Sequence, residues 1–211
     1  MDHHINLPFT QEDLEKIQHM DVLYLTGTVY TARDAAHKRM YEFILQELEN
    51  SSGSSELSLS IDPAVRENPK SFDSNDRDSL KSIDTDVRER IISGLPFDIR
   101  GAVVYYLGPT PARPGQVIGS AGPTTSGRMD RYTPLLLDLG LKGMIGKGRR
   151  SDAVIESIHK NKAIYMGATG GAGALLSKCI KSSEVVAYED LGTEAVRKLY
   201  VENFPVTVLE K

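Results

Sequence analysis

The feature that most constrains the fold is a regular alternation of short apolar segments and helical segments from Ala102 onward. The apolar segments are rich in β-branched and aromatic residues, as buried strands are, and helical periodicity separates most of them. We predict strands at 103–107, 116–118, 142–145, 163–166, 185–188 and 206–209, and helices at 129–139, 152–159, 173–180 and 193–200. Such alternation indicates an α/β layered domain with a largely parallel sheet.

The N-terminal part of the chain shows the same elements. A capping-box-like start at Thr10 predicts a short helix. Apolar residues predict a strand at 22–25, a break at 26–28, and further extended structure at 29–31. From Ala32 the pattern becomes helical, and one side of the predicted helix carries Ala36, Met40, Phe43, Ile44 and Leu48.

Between these two parts, residues 50–94 differ in composition: they are rich in serine and acidic residues and poor in large apolar ones. A structureless segment of this length is unusual inside a compact domain. We therefore predict a single domain over 1–211, with a serine-rich surface insertion at about 50–92.

Composition excludes several classes of protein. The net charge of −4 and the isoelectric point near 5.8 argue against a surface for nucleic acids or anionic membranes. The single cysteine, Cys179, rules out an internal disulfide and a multi-cysteine metal site within the chain. No apolar run approaches the roughly 20 residues that cross a bilayer, and no signal peptide is apparent, so a cytoplasmic location is the default expectation.

One loop has the composition of a binding site: 118–130 reads Ile-Gly-Ser-Ala-Gly-Pro-Thr-Thr-Ser-Gly-Arg-Met-Asp. It follows an apolar run and precedes an amphipathic segment, so we predict a strand, a turn and a helix start. Thr124, Thr125 and Ser126 are candidate caps, because their hydroxyl oxygens can accept from the first helical amides. These amides and Arg128 would attract a carboxylate or phosphate. A well-capped helix with a surface arginine is the alternative.

Two further loops follow predicted strands with glycines: 146–150, which contains Lys147, and 167–173. Ligands of open α/β sheets collect outside the carboxyl ends of the strands, where such loops lie. If the loops converge, Arg128, Lys147 and Arg33 would form a cationic pocket suited to a small dicarboxylate. The glycine spacing in 167–173 differs from a dinucleotide fingerprint, so close strand–helix packing is the preferred interpretation of that run.

The predicted helix that begins near Ala32 places Arg33 and His37 on one face, because they are four residues apart. Arg33 lies where a strand gives way to a helix, a common position for a ligand-binding group, although a structural role explains it equally well. For His37, the residues alone favour an exposed position on the helix surface. The Asp and Glu residues show no metal-ligand spacing.

Three segments together carry a resemblance to a known family: 33–39 (Arg-Asp-Ala-Ala-His-Lys-Arg), 119–130 (Gly-Ser-Ala-Gly-Pro-Thr-Thr-Ser-Gly-Arg-Met-Asp) and 143–148 (Gly-Met-Ile-Gly-Lys-Gly). The chain resembles the β subunit of class I fumarate hydratase. The same unit is the C-terminal domain of single-chain class I fumarases and of the related L-tartrate dehydratase. The resemblance covers nearly everything except 50–92 and implies a swivelling β/β/α domain, with a largely parallel sheet in its C-terminal half.

The resemblance also implies an activity and its partners. The chain would be half of a hydro-lyase that interconverts (S)-malate and fumarate plus water. The family uses a [4Fe–4S] cluster held by three cysteines of the α subunit, so a chain with one cysteine would be the half without cluster ligands. The implied partners are the α subunit and a small dicarboxylate, with homodimerisation or an assembly of two α and two β subunits.

Roles are implied residue by residue. Thr124 would remove the proton from carbon 3 of malate, with Thr125 as the fallback base and His37 as a lesser catalytic candidate. A threonine hydroxyl is a poor base in water, but a helix N-terminus and cations beside it would stabilise its alkoxide. The acid for the leaving hydroxyl would come from the α subunit. The implied substrate-binding residues are Arg33, Arg128 and Lys147.

Two alternatives to a fumarase β subunit stay open. Gly127 and Asp130 favour a fumarase, because the tartrate enzymes tend to carry methionine and glutamate at these positions. An L-tartrate dehydratase β subunit, which would form oxaloacetate, is the first alternative, since both substrates are small hydroxy-dicarboxylates. A non-catalytic dicarboxylate-binding module is the second, motivated by the long insertion.

Overall fold

A computed structural model describes residues 1–52, 83–169 and 171–211 as a mixed α/β structure. Its strands are β1 (Asp2–Asn6), β2 (Val22–Thr31), β3 (Val103–Tyr105), β4 (Gly143–Gly146), β5 (Ile164–Gly167), β6 (Ile180–Ala187) and β7 (Val196–Glu210). Its helices are α1 (Gln11–Lys16), α2 (Asp34–Ser52), α3 (Thr85–Gly94), α4 (Thr133–Asp138), α5 (Asp152–Lys160) and α6 (Gly173–Leu176). Short 3₁₀ segments occupy Ser126–Met129, Ser177–Cys179 and Glu189–Glu194.

The seven strands form one sheet that closes into a barrel. Their order is β1-β2-β3-β4-β5-β7-β6, and β7 pairs with both β5 and β2, which closes the ring. The neighbours from β1 to β5 run parallel, whereas β7 is antiparallel to β2, β5 and β6. Because β2, β3, β4 and β5 are parallel, their carboxyl ends meet at the same edge of the barrel.

The predicted largely parallel sheet in the C-terminal half is therefore only partly present: β3, β4 and β5 are parallel, but β6 and β7 are not. The predicted helix at 193–200 is wrong, because β7 begins at Val196 and continues to Glu210. Val196 and Leu199 are buried at a spacing that suggests a helix, but pairing with β2 and β6 holds this segment extended. The predicted strand at 116–118 is irregular, with a bend at Val117 and Ile118, and the predicted helix at 173–180 ends before Ile180, where β6 begins.

Strand β2 runs without the break that the sequence predicted at 26–28. Leu23, Leu25 and Val29 are all buried on one face, as period-2 alternation requires. The register against β7 shifts beside Gly27, which has a φ of +136° and lies against Leu7. Strand β2 is therefore continuous: the extra residue of this bulge lies on β7, and Gly27 has a positive φ that only glycine adopts without strain.

Side chains of the central strands alternate between two hydrophobic cores. Val103 and Tyr105 belong to the core on the barrel side, whereas Val104 and Tyr106 pack against the helices. On β4, Met144 packs against the helices and Ile145 lies on the barrel side. These strands are buried on both faces, which explains why they have continuous apolar sequences.

Helices α2 and α3 flank the segment that the sequence identified as an insertion. Helix α2 buries Ala36, Met40, Ile44 and Leu48, as predicted. Helix α3 buries Ile91 and Ile92 in the same core, so this end of the predicted insertion is packed structure. Residues 53–82, which make up most of the predicted insertion, lie outside the described residues. Within the described ranges, no helix has the length and apolar character needed to cross a membrane.

Candidate active site

The loops that the sequence singled out follow the carboxyl ends of the parallel strands. Arg33 lies just after β2, Lys147 directly after β4, and the glycine run 167–173 begins at the end of β5. Thr124 reaches the same edge, because its backbone amide donates to the carbonyl of Tyr106 beyond β3, at 2.8 Å. The structure therefore brings the predicted loops together at one edge of the sheet, which the predicted cationic pocket required.

The backbone of the Thr124 loop is joined to the loop after β4. The amide of Lys147 donates to the carbonyl of Thr124 at 3.2 Å, and the amide of Ser126 donates to the carbonyl of Lys147 at 2.9 Å. Thr125 forms a parallel β-bridge with Lys147. These contacts fix the candidate base and a candidate cation on adjoining backbone segments.

The start of the same loop packs against the glycine run after β5. Tyr105 donates its hydroxyl hydrogen to the carbonyl of Ala121 at 2.5 Å, and the amide of Ala121 donates to the carbonyl of Gly173 at 3.0 Å. A Cβ atom at Gly173 would lie 2.4 Å from the Ser120 hydroxyl, so only glycine permits this approach. The run thus has the packing role that the sequence predicted, although Gly170 lies outside the described residues.

The predicted helix cap is wrong. Thr125 precedes a single 3₁₀ turn, Ser126–Met129, and makes no side-chain cap hydrogen bond. The Ser126 hydroxyl is buried and pairs with the hydroxyl of Tyr165 at 2.9 Å. The regular helix α4 begins only at Thr133. A four-residue 3₁₀ turn has little macrodipole, so any anion at this edge would be held mainly by the basic side chains.

Two of the three predicted cations contact acidic side chains. Arg33 is mostly buried, and its Nη2 lies 3.2 Å from Oε1 of Glu194. Arg128 is 56% exposed, and its Nη1 lies 3.5 Å from Oδ2 of Asp34 at the start of α2. Lys147 is exposed, with no ion pair to any residue that the structure describes. Arg128 and Lys147 thus present charge to solvent, while Arg33 lies deeper.

Arg33 is held in place by its surroundings. Its guanidinium lies over Gly108, where an added Cβ atom would come within 2.4 Å of Nη1. The second carboxylate oxygen of Glu194 accepts from the amide of Ala35 at 3.0 Å, which fixes the carboxylate against α2. Nε of Arg33 is buried without a partner among the described residues. The arginine is therefore preoriented, with unused donor capacity.

His37 is fully buried, so its predicted position on the helix surface is wrong. Its Nδ1 lies 2.9 Å from the carbonyl oxygen of Arg33, and its ring packs edge-on against Tyr106. Burial, with a smaller contribution from Arg150, lowers its pKa to about 4, against the opposing effects of the Arg33 carbonyl and Asp34. His37 is therefore neutral near pH 7 and lies beneath the exposed cations rather than among them.

Sequence reasoning missed Arg150, whose side chain is completely buried under the site loops. Its Nε donates to Asp130 at 2.7 Å, its Nη2 to the Thr133 hydroxyl at 2.6 Å, and its Nη1 to the Tyr106 hydroxyl at 3.2 Å. Burial acts to lower the pKa of Arg150, but Tyr106 and Asp130 raise it above its usual value. The only available signal was the pair of arginines after Lys147, and a loop has no periodicity to show which one is buried.

The residues of this chain do not fit a resident iron–sulfur cluster. Such clusters are bound mainly by several cysteine thiolates. The sequence has only Cys179, which is partly buried beside the barrel core and whose pKa is raised by burial. Within residues 1–52, 83–169 and 171–211, no three His, Cys, Asp or Glu side chains form a group that could hold a metal ion.

Fold and site together define an α/β barrel domain with a cationic edge formed by its strand-end loops. The sequence pattern of one protein family, described as Fumarase C-terminus, matches residues 2–53 and 77–210. The chain belongs to this family. The match omits 54–76, which lies within the predicted insertion.

Relatives of the chain include both whole enzymes and a separate subunit. The chain is 43% identical over 127 residues to the anaerobic class I fumarate hydratase of Escherichia coli K12, covering 58% of this chain and 23% of the relative. It is 32% identical over 205 residues to the mitochondrial fumarate hydratase 1 of Leishmania major, covering 96% of this chain and 29% of the relative. The chain thus spans less than a third of the length of these two enzymes.

A third relative is matched over most of its own length. The chain is 28% identical over 200 residues to a putative L(+)-tartrate dehydratase subunit beta of Methanocaldococcus jannaschii. The alignment covers 92% of this chain and 80% of that subunit.

Proposed function

We propose that this chain is the substrate-binding and proton-abstracting part of a hydro-lyase that interconverts (S)-malate and fumarate plus water. The observation that carries the proposal is the joining of the Thr124 and Lys147 loops by backbone hydrogen bonds, with Arg128 exposed in the following turn. A hydroxyl and two accessible cations at one edge suit a substrate with two carboxylates and one acidic C–H bond. Family membership supports the same reaction class.

Arg128, Lys147 and Arg33 would bind the substrate carboxylates. Arginine can bind a carboxylate in bidentate fashion, whereas lysine supplies a point charge. Arg128 has only a 3.5 Å contact with Asp34, so a substrate carboxylate would compete for it easily. Arg33 keeps its orientation through Glu194 and would use its remaining donors. This arrangement would fix the dicarboxylate and stabilise the charge that builds up as the proton leaves.

Thr124 would be the base at carbon 3 of malate. Its side chain is partly buried at the edge. The backbone of Lys147 is hydrogen-bonded to that of Thr124, and Arg128 lies four residues further along the chain. Nearby cations favour an alkoxide, because they stabilise the charged form of an acidic group. In the dehydration direction, Thr124 would take the proton from carbon 3 while the hydroxyl leaves carbon 2 with a proton from an acid of the partner, as water. Exposed Thr125 is the fallback base.

A complete enzyme on this plan needs a second component. The resemblance implies an α subunit that carries the [4Fe–4S] cluster, and this chain lacks the cysteines for such a cluster. In that subunit, such a cluster would supply Lewis-acid chemistry for departure of the hydroxyl. The similarity to a separately named beta subunit supports a division between two chains. In this proposal the substrate is held where the two chains meet.

The test is reconstitution. The full chain, mixed anaerobically with a cluster-loaded α-type subunit, should convert malate to fumarate, followed by the ultraviolet absorbance of fumarate. Neither component should act alone. Arg128→Ala should lower the activity sharply, and Arg131→Ala, a nearby exposed arginine, should not. Dicarboxylate binding without turnover by the complex would instead indicate a non-catalytic binding module.

L-tartrate dehydration to oxaloacetate is the second candidate, favoured by the Methanocaldococcus jannaschii relative. Gly127 bears on the choice: the nearest atom to an added Cβ is a backbone oxygen 3.8 Å away, so a side chain can begin beside Arg128 without a clash at its Cβ atom. The ratio of kcat/KM for malate and L-tartrate decides between the two. Gly127→Met should fold normally and shift this ratio towards tartrate if position 127 sets the preference.

A further inference from the structure

We infer that Arg150 is a positioning residue: its buried guanidinium holds the turn of Arg128 and the loop of Lys147 in a fixed relation. The inference rests on the proposed function only in naming what these loops bind. The contacts themselves belong to the described structure and can be tested without turnover.

The guanidinium connects elements that are distant in sequence. Nε of Arg150 donates to Oδ1 of Asp130, at the end of the 3₁₀ turn. Nη2 donates to the Thr133 hydroxyl at the start of α4, and Nη1 to the Tyr106 hydroxyl beyond β3. The planar fork of arginine directs these three donors in fixed directions. A lysine at this position could keep the charge but could not make all three contacts.

Asp130 joins the end of the 3₁₀ turn to the loop that contains Arg150. Its other carboxylate oxygen accepts from the backbone amide of Ser151 at 2.7 Å. One carboxylate at the end of the turn is therefore held by the side chain of Arg150 and by the amide of the next residue. Because the guanidinium is fully buried, removing either partner would leave a buried charge without compensation, so this pair has few alternative arrangements.

A second link joins the same two segments. Tyr165 on β5 donates its hydroxyl hydrogen to the carbonyl of Gly148 at 2.7 Å and contacts the Ser126 hydroxyl at 2.9 Å. The Tyr165 ring also packs 5.0 Å from the guanidinium of Arg150. The segments are thus held at Ser126 and Asp130 on one side, and at Gly148 and Ser151 on the other.

The exposed cations depend on these links because their own side chains are weakly held. Arg128 lies between Ser126 and Asp130 in the chain, and Lys147 lies next to Gly148. A shift of either backbone would move the two charges apart. A displacement of about 1 Å is enough to cost an active site roughly 100-fold.

Amide hydrogen exchange of the full chain provides a test that does not need activity. Arg150→Lys should speed exchange at least roughly tenfold in peptides covering 124–130 and 146–151, and leave the β2–β7 ladder unchanged. Arg149→Lys, the same substitution at the exposed neighbour, should change neither. Asp130→Asn should act like Arg150→Lys, and the double variant should be no worse than the more affected single variant.

Tyr106→Phe, which removes one acceptor of the Arg150 guanidinium and keeps the ring, keeps the inference testable if Arg150→Lys does not fold; it should speed exchange in the same two segments. Unchanged exchange there, or an equal rise throughout the barrel, would overturn the inference.

Turnover gives an independent measure. In the reconstituted complex, below the unfolding temperature of the variant, Arg150→Lys should raise KM for malate roughly tenfold or more and change kcat less. Arg149→Lys should change neither constant. If the wild-type complex does not act on malate, the proposed function fails while the exchange result still decides the role of Arg150. Faster local exchange with wild-type KM would show that Arg150 serves stability alone.

Discussion

The backbone amide of Lys147 donates to the carbonyl oxygen of Thr124 over 3.2 Å. Two residues that are 23 positions apart in sequence are therefore neighbours at the carboxyl edge of the barrel. Lys147 directly follows β4. Thr124 is tied to the end of β3, because its amide donates to the carbonyl of Tyr106. The parallel strands thus place a hydroxyl and a cation within one site.

Thr124→Ala should lower turnover by at least about 100-fold, the range for loss of a general base, while leaving assembly with the partner intact. The side chain is only partly buried, so its truncation leaves little cavity. The direct measurement is exchange of the carbon 3 proton of malate with solvent deuterium, followed by NMR. Thr125→Ala is the matched control, and a loss of exchange in that variant instead would identify Thr125 as the base.

Arg128→Ala should lower kcat/KM for malate about 100-fold, because a hydrogen bond between charged groups contributes about 1.5–3 kcal/mol. Its melting temperature should stay close to that of the wild type, since Arg128 is 56% exposed and its contact with Asp34 is long. Steady-state kinetics and a thermal melt check both statements. An equal loss in Arg131→Ala would mean that the effect comes from general surface charge.

Several strands of the sheet could be predicted from sequence, because strands buried on both faces have a continuous apolar pattern. The closure of the sheet into a barrel through β2 and β7 was not predicted. Segments such as 103–107 and 163–166 are apolar throughout, and the structure has strands in both. The first half of β7 could not be predicted, since Val196 and Leu199 have helical spacing and only pairing with β2 and β6 decides their conformation. Gly27 shows the converse: β2 continues through an apparent strand break, and the register shift beside Gly27 comes from an extra residue on β7.

The candidate site was likewise predictable only in part. Arg33 and Lys147 follow strand ends, and parallel pairing brings strand ends together, so their convergence was predictable. Thr124 and Arg128 reach the same edge by another route, because the strand predicted at 116–118 is absent and the Thr124 amide pairs with Tyr106 beyond β3. The burial of His37 and Arg150 was not predictable. Both are polar residues near helix starts or loops, and each is buried against Tyr106 beneath this edge. Sequence patterns predict which loops meet but not which side chains lie beneath them.

Gly146→Ala should destabilise the fold and disturb the site. An added Cβ atom would lie 2.0 Å from the Ser126 hydroxyl and 2.8 Å from the Tyr106 ring, so the turn would have to move off β4. Overpacking of this kind costs about 1–3 kcal/mol, which lowers the melting temperature by several degrees. Gly127→Ala is the control, because its nearest neighbour would be 3.8 Å away. Equal melting temperatures for the two variants would contradict the expected clash.

His37 should make the stability of the protein depend on pH between about 6.5 and 4. Burial lowers its pKa in the folded state to about 4, below the ordinary value of 6.5. The unfolded chain therefore binds a proton more readily in this window, and the free energy of unfolding should fall as the pH falls. The loss should reach ~3 kcal/mol and level off below pH 4, where both states are protonated.

Urea unfolding at pH 7.5, 6, 5 and 4, compared between the wild type and His37→Phe, isolates this contribution. Phenylalanine keeps the ring between Tyr106 and Tyr132 but cannot titrate. The Arg33 carbonyl keeps its bond from the backbone amide at position 37, at 2.8 Å. The variant should lose less stability than the wild type on acidification. His159→Gln, at an exposed position on α5, should retain the wild-type pH dependence. Parallel curves for the wild type and His37→Phe would assign the pH dependence to other groups.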